Sequence, residues 1–552
     1  MHSLLGGRGL AQARRLLMGV SLGALVAGSA GSAFAKDSPD VTALKSEVAQ
    51  LRAEVAELKA VVADARAAAA DARAAATEAQ TTAAATQTTV ETQAAADAET
   101  AATVTRLANA PTVSVSNGRP TFATADGRFT ASLRGVFMLD AAKHMQDTRP
   151  AASDFRRGGG AGDTARARDL NDGTNFRRAR LGVEGKVFGD FSYNMTYEFG
   201  GSGVEDAGKL YEASLAYNGF DKTQIKIGAF EPLANLSNAS TSAMMLMERP
   251  AAQEVARNFA AGDSRTAIQL SRIGSLGNDS TIGANWLIGG SVTGSPIGTG
   301  TTQSFDEQLG WNGRAAIAPF SGTEWQAHLG VNGSYISQMA DALGPGVAGT
   351  RYPFQLRDRP ELRVDGTRLV DTGSINAEHA WVYGLEAGLQ HRSLLIQGEY
   401  FKYGIDRRLS ALDDPRFSGW YVEGSWFLTG EVRKYNTATA VFDGASPQYA
   451  FNRQGGSWGA WELAARYSVL DLNFREGAQG TAPMASAVRG GEQTIATLGL
   501  NWYVNNNLRF MLNVQNVEID RFSPNAATFA TPVGAQIGQE YQTVALRAQF
   551  GF

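Results

Sequence analysis

Cysteine is absent from all 552 residues, and histidine occurs only five times. The first absence excludes disulfides and thiolate chemistry. It fits a chain that crosses an oxidising compartment with nothing to mispair. The second leaves little for a histidine-based metal site. No run of about 18 apolar residues follows the N-terminus, so a bundle of membrane-spanning helices is excluded; mean hydropathy is −0.20. Strong charge of either sign is also missing: the net value is −4, and nothing points to nucleic acid. Enzyme signatures are lacking too. There is no P-loop, HExxH or CxxC and no GxSxG at a strand–helix elbow, and His144, His328, His379 and His391 stand in no recognisable motif. We expect neither an enzyme nor a cofactor.

What is present divides the chain into three. Residues 1–35 read as a secretory signal peptide: Arg8, Arg14 and Arg15 precede the short apolar stretch Leu16–Gly28, and Ala33-Phe34-Ala35 forms the cleavage site. Residues 36–110 read as an α-helical coiled coil followed by an Ala/Thr-rich linker. Leu44, Val48, Leu51, Val55, Leu58 and Val62 alternate steps of four and three, which puts one apolar seam on a helix. The register continues through Ala65, Ala69, Ala72, Ala76, Ala79 and Ala83, where the seam buries less area. For 76–107 a solvated linker is the competing expectation. Pro111 ends any helix. Such a seam implies self-association, and Leu with Val at the core favours two strands over three.

Residues 111–552 form the third part. From about Arg128, short segments alternate apolar and polar side chains. The stretch RRARLGVEGKVFGDFSYNMTYEF at 177–199 separates into apolar odd positions and polar even ones. Sixteen such segments are recognisable, near 129–142, 177–187, 191–200, 207–218, 221–230, 264–273, 279–294, 307–319, 323–337, 378–391, 393–405, 416–429, 457–472, 491–504, 507–520 and 539–552. Alternation alone also fits a soluble half-buried sheet. The apolar face recurs on every segment, however, and Trp, Tyr and Phe gather near segment ends, as in the girdles of membrane barrels. Lipid admits only helices or closed barrels. The expected fold is therefore an all-β membrane protein, a 16-stranded antiparallel transmembrane β-barrel preceded by an N-terminal α-helical coiled coil. Connections alternate between short (188–190, 218–220, 320–322, 505–506) and long (143–176, 231–263, 338–377). The connection 430–456 is long where the parity demands a short turn. Either a hairpin lies there, or one periplasmic segment is unusually long.

Several of these stretches resemble the phosphate-selective porin O and P family of Gram-negative outer membranes: DGRFTASLRGVFMLD at 126–140, NFRRARLGVEGKVFGDFSYNMTYEF at 175–199, QIKIGAFEP at 224–232, MERPAAQEV at 247–255, FLTGEVRKYN at 427–436, WGAWELAARYSVLDLN at 458–473 and LGLNWYVNNNLRF at 498–510. The resemblance covers roughly 128–552. It implies sixteen strands, three barrels per assembly, a third outer loop folded inward, and a periplasmic segment after FLTGE tucked into the barrel. It also implies that the terminal Phe552 is read by the barrel assembly machinery. Arg177 and Arg178 match an arginine pair of the second strand, and Arg249 an arginine of the constriction loop. Where phosphate-selective members carry lysine, this chain reads Asn238 and Ala243, and the arginine expected after Gly135 reads Val136. These departures weigh against phosphate specificity.

Arginine suits a pore for oxyanions because its fork matches their oxygens and its charge does not titrate. By alternation the inward basic residues are Arg134, Arg178, Arg180, Lys186, Arg314, Arg466, Arg509 and Arg547, and the inward acids are Glu184, Glu198, Glu212, Glu386, Glu399, Glu423 and Glu462. Two arrangements are open: pairing across neighbouring strands, or segregation to opposite arcs. In loop 231–263, SAMMLMERPAAQEVARNFAAGD is apolar enough to fold inward, and it brings Arg249 and Arg257 to an eyelet. The loop RYPFQLRDRPELRVDGTR at 351–368 reads as an outer loop, either a funnel for anions or a solvated surface. The expected function is an outer-membrane porin for passive diffusion of small hydrophilic solutes, with an anion preference. The pore-lining and anion-binding candidates are Arg134, Arg177, Arg178, Arg180, Arg249, Arg257, Arg314, Arg466, Arg509 and Arg547. The expected partners are outer-membrane lipid, small anionic or polar solutes and further copies of the chain, as a trimer. The alternative function is a tether from the outer membrane to the peptidoglycan cell wall, made by the periplasmic coiled coil.

Overall fold

The computed structural model describes residues 39–146, 170–201, 208–238, 243–262, 264–277, 284–297, 306–322, 324–343, 346, 348–523 and 533–552. The segment expected to be a signal peptide, 1–35, lies outside the described residues. The chain divides into two compact units, 1–104 and 105–552.

The first unit is essentially one helix, α1 (Pro39–Ala108), which runs unbroken for 70 residues. At 1.5 Å per residue it is about 105 Å long. The stretch 76–107 is helical and almost wholly exposed in the single chain. Alanine carries the highest helix propensity, and the threonines satisfy their hydroxyls on the carbonyl four residues back. Thr81 donates to the Thr77 carbonyl at 2.8 Å, and Thr92 to that of Thr88 at 2.7 Å. Among the described residues, no helix is long and apolar enough to cross a membrane.

The second unit contains sixteen antiparallel strands that close on themselves. They are β1 (Thr130–Met145), β2 (Gly173–Val187), β3 (Phe191–Glu198), β4 (Lys209–Phe220), β5 (Thr223–Phe230), β6 (Arg265–Leu276), β7 (Ala284–Pro296), β8 (Leu309–Ala318), β9 (Trp325–Gln338), β10 (Ile375–His391), β11 (Leu394–Arg407), β12 (Arg416–Phe427), β13 (Ala460–Phe474), β14 (Val488–Tyr503), β15 (Leu508–Asp520) and β16 (Glu540–Gly551). Strand β16 pairs back onto β1, with Arg547 opposite Asp140, so the barrel has no free edge to leave unsatisfied in lipid. A small hairpin, Thr112–Ser116 with Arg119–Ala123, extends the sheet from the start of β1 through Thr121 opposite Ser132. All sixteen expected segments are strands, with ends displaced by a few residues.

Alternation sorts the two faces as expected. Leu329 and Leu385 on the outer face are about half exposed, at 53% and 54%, while their inward neighbours His328 and Glu386 are buried. Two aromatic rows circle the outer face. Near one rim Trp461, Trp502 and Phe510 stack in sequence, with centroids 5.6 and 5.7 Å apart. Near the other, Trp311, Tyr335 and Trp381 lie opposite one another across β8, β9 and β10. These are interfacial girdles.

The long connection between β12 and β13 adds no strand to the barrel. It turns back into the lumen, where Tyr435–Asn436 pairs with Val441–Phe442 and both Val441 and Phe442 are buried. The parity problem thus resolves as an unusually long inserted segment.

Candidate functional site

Among the described residues, three connections enter the barrel interior. The first, between β5 and β6, carries the short helix α2 (Ala251–Arg257), which is buried on nearly every side. Its alanines are small enough to lie against the wall. Tyr403 donates to the Ala252 carbonyl at 2.6 Å, and Gln253 donates to the Tyr421 hydroxyl at 3.2 Å. The wall makes room with glycine: a Cβ at Gly419 would meet Ala252 at 2.8 Å, and one at Gly499 would collide with Leu246. Phe259 stacks on Tyr403 with centroids 5.8 Å apart. The loop therefore folds inward and closes off the side of the lumen formed by β9–β13.

The second inserted connection, between β9 and β10, corrects the expectation that 351–368 is an exposed outer loop. Arg359, Glu361, Leu362 and Asp365 are buried. Glu361 reaches Arg466, and it accepts from the Ser468 hydroxyl at 2.7 Å. Arg363 donates to Glu254 at 2.8 Å. The cause is local: Leu356, Leu362 and Val370 supply enough apolar area to bury the segment, and its charges find partners inside. Arg351, which pairs with Asp341 at 2.6 Å, stays at the surface. The third inserted connection, between β12 and β13, donates Arg433 to Glu462. Its Thr439 and Ala440 carbonyls accept from Arg314 at 2.6 and 3.0 Å.

Two adjoining cavities lie along β1–β6. A cavity of about 400 Å³ is lined by Arg134, Arg180, Lys226 and Arg249, against the acids Glu212 and Glu231. A narrower one of about 60 Å³ is lined by Arg177, Arg178, Arg180, Lys209, Arg249, Arg257 and Arg363, against Glu198, Glu231 and Glu254. The two share Arg180, Tyr211, Glu231 and Arg249. Basic groups outnumber acids about two to one in both.

Two irregularities in neighbouring strands build this arc. In β2 the register runs from Met138 opposite Arg178 to Leu139 opposite Phe176, leaving Arg177 as an extra residue. The bulge lets two successive arginines face inward, whereas strict alternation would send Arg177 to lipid. In β4 the register runs from Thr196 opposite Glu212 to Tyr197 opposite Leu210. Here Tyr211 is the extra residue, and its ring lies under Arg180 with the guanidinium carbon 3.4 Å from the centroid.

The ten candidate arginines fall into two groups. Arg134, Arg177, Arg178, Arg180, Arg249 and Arg257 line the two cavities. Arg134 donates to Glu184 at 2.8 Å and remains partly exposed. Arg177 forks onto Glu248 at 2.8 and 3.1 Å, and Arg180 donates to Glu198 at 2.6 Å. Arg257 bridges Glu231 and Glu254 at 3.0 and 2.7 Å, and Arg249 lies 4.0 Å from Glu231. Arg178 differs. It is buried with its guanidinium near two thioethers, Met138 and Met244, each at 3.9 Å, and among the described residues its Nε has no hydrogen-bond partner. Burial raises the Glu254 carboxyl, but Arg257, then Arg363 and Arg249, outweigh it and hold the group below the usual carboxylate range.

Arg314, Arg466, Arg509 and Arg547 are instead built into the filled side. Arg314 forks onto Glu386 at 2.6 and 3.0 Å, with Glu386 also within 3.1 Å of His328. Arg466 joins Glu423 to Glu361. Arg509 donates to Gln549 at 2.7 Å and to the Met244 carbonyl at 2.9 Å. Arg547 joins Asp140 to Glu248 at 2.6 Å each. Pairing with carboxylates therefore occurs on both sides, and arginines and acids are not segregated to opposite arcs; the β1–β6 side differs in that basic groups outnumber the acids lining its cavities. Tyr211, Lys209, Lys226 and Arg363 also line the open side and were not among the candidates. Lys226 alternates inward in QIKIGAF and was readable; Tyr211 depends on a bulge and was not.

Residues 152–552 match the family model described as phosphate-selective porin O and P. Porin O of Pseudomonas aeruginosa is 26% identical over 366 residues, covering 64% of this chain and 78% of that protein. An uncharacterized protein of Caulobacter vibrioides is 28% identical over 418 residues, or 74% and 72% of the two chains. Among solved structures, an anion-selective porin from Comamonas acidovorans matches with a TM-score of 0.42 at 12% identity, covering 77% of this chain and all of that one. The chain belongs to the phosphate-selective porin O and P family and is an outer-membrane porin channel.

Proposed function

We propose that this porin passes small hydrophilic solutes by passive diffusion, prefers anions, and is not specialised for phosphate. The observation that carries the reading is Arg178, a buried guanidinium that faces sulfur rather than carboxylate in a passage where basic groups are in excess. Fixed cations at a narrow, low-dielectric point replace part of an anion's lost hydration and repel cations. Asn238 and Ala243 stand where phosphate-selective relatives would place lysine. Asn238 is occupied locally, accepting from the Ala234 amide at 2.7 Å. The supporting experiment is single-channel conductance with ions exchanged one at a time. Replacing chloride by acetate should lower conductance more than replacing potassium by lithium. The opposite order, or a saturable phosphate current that blocks chloride, removes the proposal.

We further read the chain as a trimer of barrels, with α1 in the periplasm. A tether to the cell wall is the second reading, favoured by the roughly 105 Å reach of α1. Deleting 41–108 should leave conductance intact and loosen the envelope; an unchanged envelope discards the tether.

A further inference from the structure

The seam of α1 is an unpartnered apolar face. Leu44, Leu51 and Leu58 occupy one core position of the heptad and Val48, Val55 and Val62 the other, and every one of them is largely exposed in the single chain. The charges beside that seam say what covers it. The position that follows each leucine is basic five times in succession: Lys45, Arg52, Lys59, Arg66 and Arg73. The position before the first two of the following valines carries Glu47 and Glu54. Among the described residues, none of these groups makes an ion pair within its own chain; Glu47 and Arg52 are five residues apart and do not face each other on one helix.

From this we infer that α1 is the interface with other copies of this chain, and that the copies run parallel and in register. In a parallel coiled coil the flanking position before the valine faces the flanking position after the leucine one step further along the partner. That places Glu47 against Arg52 of a second copy, and Glu54 against Lys59. An antiparallel pair would instead bring like positions together, glutamate on glutamate and a five-residue basic row on its own copy. The charge pattern therefore opposes the antiparallel arrangement as well as supporting the parallel one. Insertion of every copy in one membrane with one topology also presents the helices in the same direction. The alanine seam that follows, Ala65–Ala83, admits close approach with little burial, so the specificity resides in 44–62. This deepens the self-association reading and rests on it.

The absence of cysteine provides a clean test in the full-length protein. Leu58→Cys and Ala72→Cys are made separately and oxidised mildly. A parallel, in-register rod predicts that each variant forms a disulfide with itself and that the two, co-expressed with different tags, form no mixed disulfide. An antiparallel rod predicts the mixed product and at most one self-linked one. Adding Arg52→Glu and Lys59→Glu to Leu58→Cys should lower the self-linked yield several-fold, and further adding Glu47→Lys and Glu54→Lys should restore it. A yield indifferent to these reversals, or a dominant mixed product, overturns the inference. The native mass in detergent, read on the same samples, reports separately whether the chains associate at all.

Discussion

The guanidinium carbon of Arg180 lies 3.4 Å from the centroid of the Tyr211 ring while its Nε donates to Glu198 at 2.6 Å. The ring and the carboxylate together hold the guanidinium at the junction shared by the two cavities. Replacing Tyr211 by Leu keeps most of the volume and removes the π face. Cation–π contacts contribute about 0.5–1 kcal/mol at such sites. The ratio of anion to cation permeability should therefore fall about two- to fivefold, measured in bilayers with the single-channel conductance alongside. An unchanged ratio would show that Arg180 does not set selectivity.

Arg178 and Arg314 separate transport from stability. Both are buried, but among the described residues Arg178 makes no ion pair with a carboxylate, whereas Arg314 is forked onto Glu386 and holds two carbonyls of the inserted segment. Arg178→Gln should reduce anion preference and leave thermal stability nearly unchanged. Arg314→Gln strands a buried carboxylate and should cost about 3–5 kcal/mol, with selectivity retained. Thermal unfolding and reversal potentials on both variants check the pair.

Gly419 is the contact that seats the constriction. A side chain there meets Ala252, so Gly419→Val should push α2 off the wall and widen the passage, at a cost of about 1–3 kcal/mol for overpacking. The expected result is a rise in conductance. A fall, with the fold intact, would mean that α2 moves into the open side instead.

Asp358 predicts a pH dependence. Burial pushes its carboxyl up from 3.8 to about 7, with Arg363 opposing. An acid raised in the docked loop favours docking while it is protonated. Docking is therefore strongest below about pH 4 and weakens as pH rises towards 7, after which it is flat. Current noise from loop motion should increase over that window, and Asp358→Asn should remove the trend.

The barrel was legible because lipid enforces a strict rule. Every strand must alternate, and Trp325-Gln326-Ala327-His328-Leu329 does so without exception. Interior filling obeys no such period. The loop 351–368 reads as a charged surface loop because its partners, Glu248, Glu254, Arg466 and Ser468, are distant in sequence and meet it only in the closed barrel. The arginine arc was half legible. Arg178 and Arg180 follow alternation, but the bulges that add Arg177 and Tyr211 each insert one residue and leave no local trace. Arg314, Arg466, Arg509 and Arg547 alternate inward just as Arg178 does. Only the course of the inserted loops decides that they are tied into the filled side instead of lining the cavities along β1–β6.

We propose that the cation excess along β1–β6 sets the sign of selectivity. The most direct measurement is the zero-current potential of the purified porin in a planar bilayer under a tenfold potassium chloride gradient, compared with Arg178→Glu. The native porin should give a potential of the sign that marks anion preference, reduced or reversed in the variant. A cation-selective potential in the native protein, or one that Arg178→Glu leaves unchanged, would contradict it.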